Sequence, residues 1–216
     1  AFTTKSQNVW RYYELGQSNT YFLPSAYEPT VHHPVLSTES RYQPDQFNVG
    51  FIGTYDGSRE PYINSIPKDL IHLWGNGWNR YSRFAAYRSK IVPKAIYNEE
   101  FSDVVSHCKI NLGLLREEAK DLHTTRTFEI PACGGFQLAP RNDEILSFFE
   151  EGKEIICFES IQEMNDKISY YLHNETARKK IAEAGFERCK KGKHSYFDRA
   201  SQLLRITHPE KLKKAA

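Results

Sequence analysis

From residue 47 onward, short and nearly unbroken apolar runs alternate with stretches whose apolar residues recur every three or four positions. Phe47-Asn-Val-Gly-Phe-Ile-Gly53 is the first run, Leu70-Ile-His-Leu-Trp-Gly75 the second and Lys109-Ile-Asn-Leu-Gly-Leu-Leu115 the third. Gly135-Phe-Gln-Leu-Ala139 and Glu154-Ile-Ile-Cys-Phe158 continue the series. A strand that is apolar on both sides has to be covered on both sides, and helices between strands supply that cover. The pattern predicts an α/β domain on a parallel sheet with helices on both faces.

The intervening segments carry the matching helical period. Phe101, Val104, Val105 and Cys108 share one face of a helix that Asn98 is placed to cap. Ile161, Met164, Ile168 and Tyr171 repeat the spacing, and Ala177, Ile181 and Ala184 mark a further helix with Gly185 as its expected stop. Ser195 and Asp198 form a Ser-x-x-Asp start for a last helix carrying Phe197, Ala200, Leu203 and Leu204. Three consecutive helices put the end of the sheet near residue 158. Residues 1–46 differ: a polar helix-like stretch over about 6–16 leads to Thr20-Tyr-Phe-Leu23, then to a loop punctuated by Pro24, Pro29, Pro34 and Pro44. These predict an end piece and connector (1–46), a ligand-binding domain (47–190), and a C-terminal helix with a basic tail (191–216).

Thirteen Phe, thirteen Tyr and three Trp let a chain of only 39% hydrophobic residues fill a core. Lys plus Arg number 29 against 27 for Asp plus Glu, which disfavours a nucleic-acid partner. The Lys-rich end (Lys211, Lys213, Lys214) reads as a solvated tail. Cys108, Cys133, Cys157 and Cys189 form no Cys-x-x-Cys pair and have no closely spaced His, so neither a zinc site nor a disulfide framework is expected. Cys108, Cys133 and Cys157 read as small core residues, and a reducing, cytoplasmic setting is expected. No segment approaches the roughly 20 apolar residues of a membrane span. The chain opens on Ala1 rather than Met, and its start reads as mid-fold, so a fragment of a longer or trimmed chain is expected.

Ligands of open parallel sheets sit beyond the carboxyl ends of the strands. Two strand ends are equipped for this. Gly53-Thr-Tyr-Asp-Gly-Ser-Arg59 is a flexible turn running into a helix, and Arg59 adds a charge suited to phosphate oxygens. It is neither a Walker loop nor Gly-x-Gly-x-x-Gly; an ordinary turn with a solvated Arg is the competing reading. Asp121-Leu-His-Thr-Thr-Arg-Thr-Phe-Glu129 is the second: a polar loop entering a short helix near Thr124 or Thr125, whose free amides suit a diphosphate. Pro131 restricts that helix and puts Glu129 near its start, where a carboxylate can accept bonds from the two hydroxyls of a ribose. A capping Glu is the alternative there. His32 and His33 fall in the connector near the expected cleft, with exposed linker residues as the favoured reading. His123 lies inside the acidic pair's loop.

Arg126-Thr-Phe-Glu-Ile-Pro-Ala-Cys-Gly-Gly-Phe136, with Phe51-Ile-Gly-Thr-Tyr55, Trp74-Gly-Asn-Gly-Trp78, Ile181-Ala-Glu-Ala-Gly185 and Tyr196-Phe-Asp-Arg199, resembles the CgeB-like (spore maturation protein) glycosyltransferases, related to retaining family 4. The resemblance covers nearly the whole chain. It implies the C-terminal half of a GT-B enzyme, whose two Rossmann-like domains enclose the active site. On that resemblance residues 47–190 bind the nucleotide-sugar donor, and residues 1–24 end an N-terminal domain, otherwise missing, that supplies the acceptor site. No metal and no cofactor besides the sugar nucleotide are implied. The family's two acids fall on Asp121, shortened from Glu and facing the donor sugar, and Glu129, facing the ribose. Backbone at His123, Thr124 and Thr125 would cradle sugar and phosphate. The family's two cations after the first strand fall on Thr54 and Arg59, so one is missing, and Arg126 is placed to compensate. Gly53 and Thr54 complete the phosphate turn, and Tyr97, after an expected Ala95–Ile96 strand, falls near the base. Retaining transfer of a hexose-like sugar is the expectation. A non-catalytic module that keeps the fold, or a related epimerase, are the alternatives.

Overall fold

The computed structural model describes residues 1–208 of the chain; the basic end at Lys211, Lys213 and Lys214 lies outside them. The first unit is a short βαβ piece: β1 (Phe2–Thr3), α1 (Ser6–Glu14) and β2 (Tyr21–Phe22), with β1 and β2 paired in parallel as a separate two-stranded sheet. A connector without strands follows to residue 46.

The main sheet takes β3 (Phe47–Ile52), β4 (Ile71–Trp74), β5 (Ile91–Val92), β6 (Cys108–Leu112), β7 (Gln137–Pro140) and β8 (Ile156–Phe158). Helices α2 (Glu60–Ser65), α3 (Phe84–Tyr87), α4 (Asn98–Ser106), α5 (Arg126–Ala132) and α6 (Asp143–Phe148) lie between the strands. After β8 come α7 (Ile161–His173), α8 (Glu175–Lys191) and α9 (Tyr196–Thr207), so the sheet ends at Phe158 as the sequence predicts. Every pairing is parallel, in the order β5-β4-β3-β6-β7-β8. This is the doubly wound Rossmann order, which reverses direction between β3 and β6.

Burial follows the strand composition. In β3 every residue but Asn48 is buried. On one face Val49, Phe51, Leu73 and Ile110 pack with Ile63 of α2 and Met164 and Ile168 of α7. On the other, Phe47 and Trp74 pack with Phe101, Val104 and Val105 of α4 and with Ile130 of α5. Phe128, Ile145 and Phe148 join Cys157 and Cys189 in a third cluster. Fully burying such a side chain is worth about 1.5–3 kcal/mol. All four cysteines are buried thiols, and burial raises their pKa.

Four local expectations are corrected. Ala95–Ile96 is not a strand: pairing stops at Val92 because Pro93 has no N–H for the ladder. Asn98 does not cap α4 through its side chain; Tyr97 is the capping position, without a side-chain cap bond, and Asn98 sits at φ 52°. The third strand ends at Leu112, releasing Gly113–Leu115 to line the crevice above it. Gly185 does not stop a helix. α8 runs through it to Lys191, and a Cβ at Gly185 would lie 2.6 Å from the Glu154 carbonyl, so the glycine serves close packing. Ser195 and Asp198 close the expected capping box of α9.

Candidate functional site

At the β3/β6 reversal the chain leaves neighbouring strands in opposite directions, which opens a crevice over their carboxyl ends. A cavity of about 300 Å³ there is lined by Gly53, Thr54, Arg59, Thr124, Thr125 and Arg126, which brings six of the sequence-selected residues together. A second cavity, about 150 Å³, shares Gly53, Thr54 and Arg126 and is walled by Trp74, Ile96 and Tyr97. A third, about 270 Å³, contains Asp121 and shares Leu114 and Arg116 with the first. Tyr97 is 66% exposed at the rim, so it is not a core residue.

Close backbone approach shapes the crevice. Gly53 N–H donates to the Trp74 carbonyl at 2.8 Å, and Trp78 Nε1 donates to the Gly53 carbonyl at 2.9 Å. Gly75 has φ +146°, and a Cβ there would fall 2.0 Å from the Gly53 oxygen. Only glycine fits.

Arg59 is not a solvated cation. Its guanidinium is buried, lies over the Phe51 ring at 5.1 Å, and donates to the carbonyls of Thr54 (2.6 Å), Leu114 (3.1 Å) and Leu115 (3.3 Å). It ties the turn after β3 to the turn after β6 while bordering the cavity. Burial lowers its pKa to about 10, with Asp56 opposing, so it stays charged at neutral pH.

Asp121 is likewise engaged. Lys5 Nζ lies 3.0 Å from one carboxylate oxygen and Arg116 Nη2 3.4 Å from the other. Lys5 also donates to the Ala119 carbonyl, and Gln7 to that of Lys120 at 2.7 Å. The βαβ piece thus grips the loop before the short helix.

Glu129 sits in the first turns of α5, 6% exposed. One carboxylate oxygen pairs with Arg126, three residues back, and the other faces His32 Nε2 at 3.7 Å. The Arg126 guanidinium stacks 4.1 Å above Phe101 and donates from Nε to the Ile52 carbonyl at 3.3 Å. It therefore stands at the junction of the first two cavities in a fixed orientation. Pro131 lies in the last turn of α5 and has no N–H to donate to the Thr127 carbonyl four residues back.

His123 lies apart from these linings. Its ring is buried against Phe128 and Phe148, Nε2 accepts the Ser25 amide at 2.9 Å, and Nδ1 pairs with Glu144. An amide donor at Nε2 places the ring hydrogen on Nδ1. Burial lowers its pKa, against the opposing pull of Glu144. The side chain joins the connector to α6 rather than facing the crevice.

No local signal in the sequence marks Lys5, Arg116 or Glu144 as site residues; Lys5 reaches Asp121 from a segment far along the chain. His33 is exposed, whereas His32 is half-buried, contrary to its linker reading. Among the described residues no cluster of three or more His, Cys, Asp or Glu is arranged to hold a metal, and no helix is long and apolar enough to cross a membrane.

The sheet order and the crevice over its reversal are those of a Rossmann-like domain of GT-B architecture. The glycosyl transferase-like family matches residues 59–205, more than half of the chain, and the chain belongs to that family. Spore protein CgeB of Bacillus subtilis is 24% identical over 87% of this chain, and the match spans 62% of that protein. Sucrose-phosphate synthase from Thermosynechococcus elongatus superimposes with a TM-score of 0.69 at 15% identity, covering all of this chain and 58% of that one. HepE of Anabaena, crystallised with UDP and glucose, superimposes with a TM-score of 0.70 at 12% identity, covering 99% and 62%. The chain thus spans about three-fifths of the length of these relatives.

Proposed function

We propose that the chain is the donor-binding half of a glycosyltransferase, holding a nucleoside-diphosphate sugar in the β3/β6 crevice for transfer to an acceptor bound by a further domain. The carrying observation is the convergence of Gly53, Thr54, Arg59, Thr124, Thr125 and Arg126 on one cavity at the sheet reversal. In this reading the base lies by Tyr97 and the ribose hydroxyls at Glu129. The diphosphate lies between the Gly53–Thr54 turn and the Thr124–Arg126 segment, and the sugar points toward Asp121. The presence of UDP and glucose in the HepE crystals supports such a ligand for this fold.

Breaking the sugar–phosphate bond develops charge on the departing diphosphate. Arg126, already fixed over Phe101, and Arg59, fixed on three carbonyls, are cations preorganised to stabilise it without a metal ion. Arg126 takes the place of the cation that Thr54 lacks. Retention of configuration and a hexose-like donor follow from the family resemblance. Residues 1–46 serve as the end of the N-terminal domain and its connector, consistent with their separate two-stranded sheet. The chain by itself is an incomplete enzyme of the cytoplasm.

A second reading, a non-catalytic module of spore or surface assembly, draws on Asp121, whose carboxylate is already occupied by Lys5 and Arg116. Assaying the complete protein for release of UDP or GDP from their sugars separates the two. Turnover supports the enzyme; nucleotide binding with no hydrolysis or transfer to any offered acceptor supports the module.

A further inference from the structure

His32 stands on the connector yet reaches Glu129 of α5. Its backbone is held by a turn in which the His32 amide donates to the Glu28 carbonyl at 2.7 Å. That turn is anchored to α4 by Ser102 Oγ, which donates to the Val31 carbonyl at 2.7 Å. The ring packs edge-on against Phe101 at 5.6 Å, and its Nδ1 accepts the Glu28 amide at 3.0 Å. An N–H donor requires a lone pair on Nδ1, so the neutral ring carries its hydrogen on Nε2. Nε2 faces Glu129 Oε1 at 3.7 Å. That is too long for a closed hydrogen bond but directs an N–H dipole at a buried carboxylate. Burial lowers the ring's pKa, Glu129 opposing and Arg126 assisting, which favours the neutral tautomer. Glu129 is thereby held from two sides, by Arg126 on its own helix and by His32 from the connector.

We propose that His32 is a positioning residue: through Nε2–H it fixes the Glu129 carboxylate for the ribose hydroxyls and so couples the connector to nucleotide affinity. The inference rests on the ribose role of Glu129 proposed above. Phe101 serves both partners, since it carries the Arg126 guanidinium and the His32 edge.

The test measures UDP affinity by calorimetry in wild type, His32→Ala, His32→Asn, His32→Gln, Glu129→Ala and the His32→Ala/Glu129→Ala double variant. Glutamine places an N–H near the Nε2 position, whereas asparagine keeps only the acceptor for the Glu28 amide. The proposal expects His32→Ala and His32→Asn to weaken UDP binding about fivefold and His32→Gln to stay within about twofold of wild type. In the Glu129→Ala background, the further loss from His32→Ala should vanish. A loss of equal size in both backgrounds would show that His32 acts through the connector's structure, and it overturns the proposal. So does wild-type affinity in His32→Ala when Glu129→Ala is weakened, and the ribose reading then survives. Wild-type affinity in Glu129→Ala defeats the ribose reading and the positioning role together.

Discussion

The Lys5 ammonium lies 3.0 Å from the Asp121 carboxylate, joining the first helical segment to the loop that enters α5. Arg116 approaches the same carboxylate from the side shared by two cavities. Asp121 therefore stands between two cations at the seam of the βαβ piece and the main sheet.

Lys5 is about one-third exposed and Asp121 less so, and a pair of that kind contributes at most about 1 kcal/mol. Lys5→Ala should change urea-unfolding stability by no more than that. It should, however, accelerate amide exchange at residues 119–121, where the Lys5 and Gln7 side chains now bind backbone carbonyls. Unchanged exchange would show that the grip on the loop does not depend on Lys5.

Arg59 gives a larger effect of a different kind. Removing a buried guanidinium leaves the Thr54, Leu114 and Leu115 carbonyls without their donor, and Arg59→Ala should destabilise the fold by about 2–3 kcal/mol in chemical denaturation. Arg59→Lys should recover little, because an ammonium cannot span three carbonyls with one planar fork. Loss of nucleotide binding with undiminished stability would instead mark Arg59 as a free phosphate ligand.

The strands were legible because residues buried on both faces leave a local apolar run, as in β3 and β6. Their order was not, since nothing local in Phe47–Ile52 specifies Cys108–Leu112 as a neighbour. Gly185 misled because a helix stop and a close approach ask for the same residue, and only the Glu154 carbonyl 2.6 Å from its absent Cβ distinguishes them. At the site, the motif residues gathered at the crevice were visible by type and spacing. Their partners were not: Lys5 and His32 reach Asp121 and Glu129 from more than ninety positions away.

His194 sets a pH dependence. It is buried against Phe128, 4.9 Å between ring centroids, and burial together with Arg199 and Arg188 lowers its pKa from 6.5 to about 4. Between those values the unfolded chain takes a proton that the folded protein refuses. Stability is therefore lost as pH falls from 6.5 toward 4 and levels off below, with a slope near 1.4 kcal/mol per unit from this residue. Denaturation midpoints at pH 6.5 and 5.0 should differ less in His194→Phe than in wild type; an equal difference would remove His194 as the cause.

The donor assignment is tested most directly by calorimetric titration of the chain with UDP and GDP, in wild type, Glu129→Ala and Asp121→Ala. The account predicts binding of at least one nucleotide by the wild type, a loss of about tenfold in Glu129→Ala, and a smaller change in Asp121→Ala, because only Glu129 is assigned to the ribose. No binding at millimolar nucleotide, or equal and negligible effects of the two substitutions, would contradict it.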